Sequence, residues 1–143
     1  MAIHLIEEDR KLTGVKKSPL REWLKFVIRE SGKGEGIVNV IFCSDGYLVK
    51  INEQFLKKNY FTDVISFDYT KGNIIGGDIF MSLDRIKENS EERGISFPDE
   101  LKRVMVHGLM HLIGYEDGKR KTKAEMTRLE DLYLARYRED GKY

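Results

Sequence analysis

The chain has 143 residues, 41% of them hydrophobic, which is enough for one domain with a substantial core. Its 25 lysines and arginines nearly cancel its 24 aspartates and glutamates, so no global field favours nucleic acid and any polyanion site must be local. A lone cysteine excludes an internal disulfide, no segment has the length of a bilayer span, and the first ten residues lack the basic start and apolar run of a signal peptide; a cytoplasmic setting without a membrane partner is expected.

Residues 3–6 read as a short strand in which His4 is structural. Ser18 and Pro19 mark a helix start, Ser as cap and Pro at the first helical position, and Leu20, Trp23, Leu24, Val27 and Ile28 form its apolar stripe. A glycine-rich stretch at 31–36 ends it, and 37–43 follows as a strand rich in β-branched residues, with Cys43 as a packing residue. Ser44 or Asp45 caps a second helix through about Phe55, with Leu48, Ile51 and Phe55 inward.

Residues 62–69 read as a strand with Ile65, Phe67 and Tyr69 on one face, and 74–81 as its hairpin partner across a turn at 71–73. Asp78 interrupts the second run, which marks either a sheet edge or a functional carboxylate; by itself it reads as structural. Ser82 caps a polar helix through about Arg93, and Gly94 and Pro98 bracket the next loop.

Residues 101–113 predict a buried helix, apolar on nearly every face, and within it stand two of the three histidines, His107 and His111. A spacing of four projects both imidazoles from one face, one turn apart, the separation needed to share an ion of zinc size. Gly114 caps the helix, and Tyr115-Glu116-Asp117-Gly118 turns the chain back, so that Asp117 or Glu116 can supply a third ligand. The competing reading makes the pair polar members of a packed core, bonded to carbonyls or carboxylates. Lys119, Arg120, Lys121 and Lys123 form the one dense basic run, which is either a solvated stretch or a contact for phosphate. Thr122 and Glu125 suggest a capping box, and Met126, Leu129, Leu132, Tyr133 and Tyr137 the stripe of a last helix. The order β, α, β, α, β, β, α, α, α predicts an α+β fold over residues 1–143, a single domain with a sheet of about four strands backed by helices.

Positions 107–117, His-Gly-Leu-Met-His-Leu-Ile-Gly-Tyr-Glu-Asp, resemble the signature of the YbeY family, the bacterial endoribonucleases and rRNA maturation factors, which reads His-Gly-x-Leu-His-Leu-x-Gly-Tyr-Asp-His. Asn52, the block at 62–67 and Gly77-Asp78-Ile79 followed by Ser82 match other family features in the right order. The resemblance implies one Zn2+ held by three histidines, single-stranded RNA as substrate, and work on the 16S rRNA 3′ end and in ribosome quality control. The partners it implies are ribosomal RNA and proteins of the small ribosomal subunit. His107 and His111 carry over as ligands; the third histidine falls on Asp117, which keeps the position but changes the ligand, since zinc also accepts a carboxylate oxygen. That exchange cancels one unit of the ion's charge, so an activity optimum at higher pH than in a three-histidine relative is expected.

A second departure is Leu56, where the family usually carries an arginine; Lys57 or Lys58 is left to meet phosphate, as a point charge in place of a bidentate fork. Zinc proteases place a glutamate directly after the first histidine as base, but Gly108 stands there, leaving room beside the metal. The candidates for the catalytic base are therefore Glu116, first by proximity, then Asp63 and Asp78. The expected activity is a zinc-dependent endoribonuclease; the alternative is a ribosome-associated RNA-binding maturation factor with a structural metal and little catalysis.

Overall fold

The structure is a computed structural model that describes residues 2–57, 62–114 and 120–143, with the backbone alone for 120–122. The nine elements follow the expected order: β1 (Ala2–Glu7), α1 (Lys17–Glu30), β2 (Gly34–Cys43), α2 (Asp45–Leu56), β3 (Val64–Asp68), β4 (Ile74–Ser82), α3 (Leu83–Arg93), α4 (Phe97–Ile113) and α5 (Arg120–Ala135). They make one mixed sheet in the order β1-β2-β4-β3, parallel except for the β3–β4 hairpin, which pairs Ile65 with Phe80 and Phe67 with Asp78. Period-two alternation sorts each strand between two faces. Ile3, Leu5, Val38, Val40, Phe42, Ile75, Ile79 and Met81 point into the main core with α1 and α4, while Ile65, Phe67 and Phe80 face the other way, towards Leu48 and Ile51 of α2.

Several boundaries differ from the sequence reading. Ser18 is not a cap: α1 begins at Lys17 and Pro19 lies within its first turn, where a missing N–H leaves no helical bond unmade. β2 starts at Gly34 rather than Ile37, because Gly34 donates to the Asn73 carbonyl at 2.7 Å and glycine at 36 allows a backbone approach that a Cβ, 2.5 Å from the Ile75 oxygen, would block. α4 starts at Phe97, capped by Ser96, and α5 already includes Arg120, so Thr122 is inside it and not its cap. Phe55, Tyr69 and Leu132 are exposed although their spacing predicts burial. Phe55 sits edge-on to Phe67, 5.6 Å between centroids, at the rim of the sheet where α2 ends. The caps by Ser44, on the Tyr47 N–H, and by Ser82, on the Arg85 N–H, are as expected.

The last helix is tied to the first. Trp23, fully buried, donates its indole N–H to the Tyr133 carbonyl at 2.9 Å, and its ring meets Tyr137 edge-on. Among the described residues no helix is long and apolar enough to cross a membrane.

Candidate metal centre

Helix α4 is started by the Ser96 hydroxyl, which accepts the Asp99 N–H, and ended by Gly114, whose left-handed backbone at φ 119° turns its N–H back to the Met110 and His111 carbonyls. Between these stops the helix lies directly on the sheet. Gly108 is the contact point: a Cβ there would stand 2.8 Å from Ile79 Cγ2 and 3.2 Å from both Ser66 Oγ and Val64 Cγ2. Gly108 therefore packs against β3 and β4, beside Val64 and Ser66, which line the same cleft as the two histidines. Two hydroxyls beside the hairpin fasten the helix, Ser66 donating to the Gly108 carbonyl at 3.2 Å and Thr70 to that of Leu112 at 3.1 Å.

This docking leaves the His107 and His111 rings half-buried, with centroids 5.0 Å apart and planes at 77°. Two imidazoles bound to one zinc at about 2 Å with a near-tetrahedral angle have centroids roughly 5 Å apart, so the pair fits a shared ion. Both line a cleft of about 480 Å³, whose other walls include Asn52, Leu56, Thr62, Asp63, Ser66 and Asp68. Among the described residues these walls carry two carboxylates and no lysine or arginine, a polarity that suits a cation. Burial pushes the Asp63 carboxyl above the usual carboxylate range; its own backbone N–H, His107 and Arg93 pull the other way. The main chain at Asp63 is pinned by the Ser82 N–H, which donates to its carbonyl at 3.0 Å.

Behind His107 lies a smaller cavity of about 190 Å³, bounded by Arg93, Glu100, Arg103, Val104 and Glu130 and sharing Asp63, Val64 and His107 with the cleft. Glu130, buried on α5, holds His107: Oε2 is 2.6 Å from Nδ1, while Oε1 accepts from Arg103 at 3.2 Å. Arg103 also bonds Asp131 at 2.6 Å. Glu100, 1% exposed, takes both its bonds from Arg93, at 3.1 and 3.2 Å.

A family model described as Endoribonuclease YbeY matches residues 5–138. The chain belongs to this family. A Flavobacterium johnsoniae protein named Endoribonuclease YbeY is 48% identical over 110 residues, 77% of this chain and 78% of that one. One of the same name from Bacteroides thetaiotaomicron is 40% identical over 135 residues, 94% of this chain and 98% of the relative. The fold is similar to a solution structure of a Thermotoga maritima protein, with a TM-score of 0.67 and 28% identity over 93% of this chain and 87% of the other.

Of the residues singled out from the YbeY signature and its surroundings, the structure brings His107, His111 and Asp63 to one cleft. Glu116 and Asp117 lie outside the described residues, as does Lys58; among the described residues no third His, Cys, Asp or Glu completes a metal-binding group. Asp78 is not brought to the histidines. It sits on an inner strand, in register with Asn39, whose side-chain amide donates to it at 3.0 Å. Its neighbours Gly77 and Ile79 face α4, so alternation sends the Asp78 carboxylate to the opposite side of the sheet. Nor is it at a sheet edge, since β4 pairs on both sides. Leu56 lines the cleft, an apolar surface where the family usually has an arginine, while Lys57 caps α2 in the left-handed conformation, φ 55°. Glu130 was not anticipated. Its signal was an acid four residues after Met126 and three before Tyr133, on the apolar stripe of α5, where a carboxylate needs a buried partner.

Proposed function

We propose that the chain is a zinc-dependent, single-strand-specific endoribonuclease that acts in the cytoplasm on ribosomal RNA, at the 16S rRNA 3′ end and in ribosome quality control, beside proteins of the small ribosomal subunit. Endoribonuclease is the activity for which its relatives are named. The observation that carries the reading is the histidine pair, spaced for one ion at the wall of a cleft whose charges, among the described residues, are carboxylates. An RNA phosphate approaching Asp63 and Asp68 needs a cation to approach with it.

His107 and His111 would hold the ion, with Asp117 as third ligand. Two histidines and one carboxylate are an established catalytic set with a position left open. Such an ion supplies Lewis acidity towards a phosphodiester and lowers the pKa of a nearby water. The protein's own part is orientation and proton transfer. Glu116 adjoins the ligand turn and is first choice for the base, and Asp63 is the second, its carboxyl kept closer to neutrality by burial. Asn52, Thr62 and Ser66 add uncharged polar groups to the cleft walls. Asp78 has no part in this site.

The test is cleavage of an end-labelled single-stranded RNA, with the same sequence as a duplex alongside, by the purified chain and by an identically prepared His111→Ala variant, with zinc content measured in both. Cleavage of the single strand by the wild type alone, with loss of zinc in the variant, is expected. Equal cleavage by both, or RNA binding without cleavage, would transfer the function to a binding factor whose metal is structural.

A further inference from the structure

We propose that Glu130 is a positioning residue for His107, and that Arg103 in turn positions Glu130; the inference rests on the metal reading above. His107 and Arg103 are four residues apart on one face of α4, and the Glu130 carboxylate reaches in from α5 between them, one oxygen to each. A carboxylate only accepts hydrogen bonds, so at 2.6 Å the proton belongs to His107 Nδ1. That fixes the tautomer: Nε2, on the side of the ring away from α5, carries the lone pair with which an imidazole ligates an ion. The contact also stops rotation of the ring, because Glu130 is 6% exposed and held at its other oxygen. Arg103, bonded to Asp131 as well, balances the buried charge and fastens α4 to α5.

This carboxylate does not reach the cleft: it lines the smaller cavity behind His107 and is absent from the walls around His111. It therefore acts through the imidazole, raising its basicity and removing the entropy of ring orientation. Outer carboxylates of this kind change metal affinity by about 10- to 100-fold. The contact joins residues 23 apart in sequence, so the geometry of His107 is set by tertiary structure.

The experiment compares the full-length wild type with Glu130→Gln and Arg103→Gln. Glutamine is nearly isosteric, and thermal melts establish that each variant is folded. Two readouts are taken: zinc affinity by competition with a chromophoric chelator, and the His107 tautomer from imidazole nitrogen shifts in the zinc-free protein above the histidine pKa. The expected result is an Nδ1–H tautomer in the wild type that is lost in Glu130→Gln, with zinc affinity reduced about 10- to 100-fold and a smaller loss in Arg103→Gln. RNA cleavage should then lose kcat with KM little changed. A wild type with the Nε2–H tautomer, or a folded Glu130→Gln with unchanged tautomer and affinity, overturns the proposal. An Nδ1–H tautomer held by Glu130 in a protein that binds no zinc would support the positioning and defeat the metal reading instead.

Discussion

Ser66 and Gly108 meet where α4 lies on the sheet: the serine hydroxyl donates to the glycine carbonyl at 3.2 Å, and its oxygen is 3.2 Å from where a side chain at 108 would begin. Alanine at 108 would gain up to about 1 kcal/mol of helix propensity. It would also press on Ile79 Cγ2 at 2.8 Å, a branched side chain with little freedom to yield, and overpacking of that kind costs about 1–3 kcal/mol. The steric term is the larger. Gly108→Ala should lower stability by about 1 kcal/mol in urea denaturation and weaken zinc binding, by lifting the helix that bears both histidines; a variant at least as stable as wild type would refute this packing.

Arg93 and Glu100 form an unequal pair, the arginine largely exposed and the carboxylate almost fully buried. Burial raises the Glu100 carboxyl, with Arg93 the leading influence that lowers it. In Arg93→Ala the folded-state value must rise further. A carboxyl raised on folding contributes stability below its unfolded pKa and loses it as pH rises through the folded value. The cost of the substitution should accordingly be small near pH 4 and reach about 1–3 kcal/mol by pH 8. Adding Glu100→Gln should remove most of its pH dependence; a cost independent of pH would show the carboxylate to be satisfied without Arg93.

Cys43 is fully buried, its thiol faces the Met81 carbonyl at 3.4 Å, and burial pushes its pKa up to about 12. The native protein should resist iodoacetamide at pH 8 and become alkylated in step with unfolding by urea. Rapid alkylation of the folded chain would place Cys43 nearer the surface than β2 puts it.

The aspartate at 117 separates this chain from the three-histidine pattern. Asp117→His removes one negative charge from the proposed ligand set and should move the pH optimum of RNA cleavage downwards. An optimum that stays in place, with zinc still bound, would show that residue 117 does not touch the ion.

The basic run calls for a salt titration. Lys121→Glu with Lys123→Glu should weaken single-stranded RNA binding, and the slope of log affinity against log salt should flatten by roughly 0.7 for each phosphate no longer neutralised. Unchanged affinity and slope would make the run an ordinary solvated helix start.

The order of elements and the histidine pair were legible because they follow from local rules: periods of 2 and 3.6, the caps at Ser44, Ser82 and Gly114, and the four-residue spacing of His107 and His111. What escaped depends on how distant segments meet. Asp63 comes just before β3 and Asp78 lies within β4; the docking of α4 on the hairpin puts the first at the cleft, while the pleat of β4 sends the second to the opposite face. Gly108 looked like space for a metal, but its vacancy is filled by Ile79 and Ser66. Glu130 drew no reading from the sequence, because its meaning comes from two partners on α4, 23 and 27 residues earlier.

The bond from Trp23 to the Tyr133 carbonyl bears on the timing of assembly. α5, which brings Glu130 to His107, is seated against α1, a helix that leaves the ribosome well before it. A nascent chain made only as far as α4 already has both histidines but neither the carboxylate behind one of them nor the helix that closes the core. Local contacts form first and long-range ones last, so the groups behind the cleft come together only when the two ends of the fold join. The backing of His107 is therefore completed by the last helix of the fold to be made.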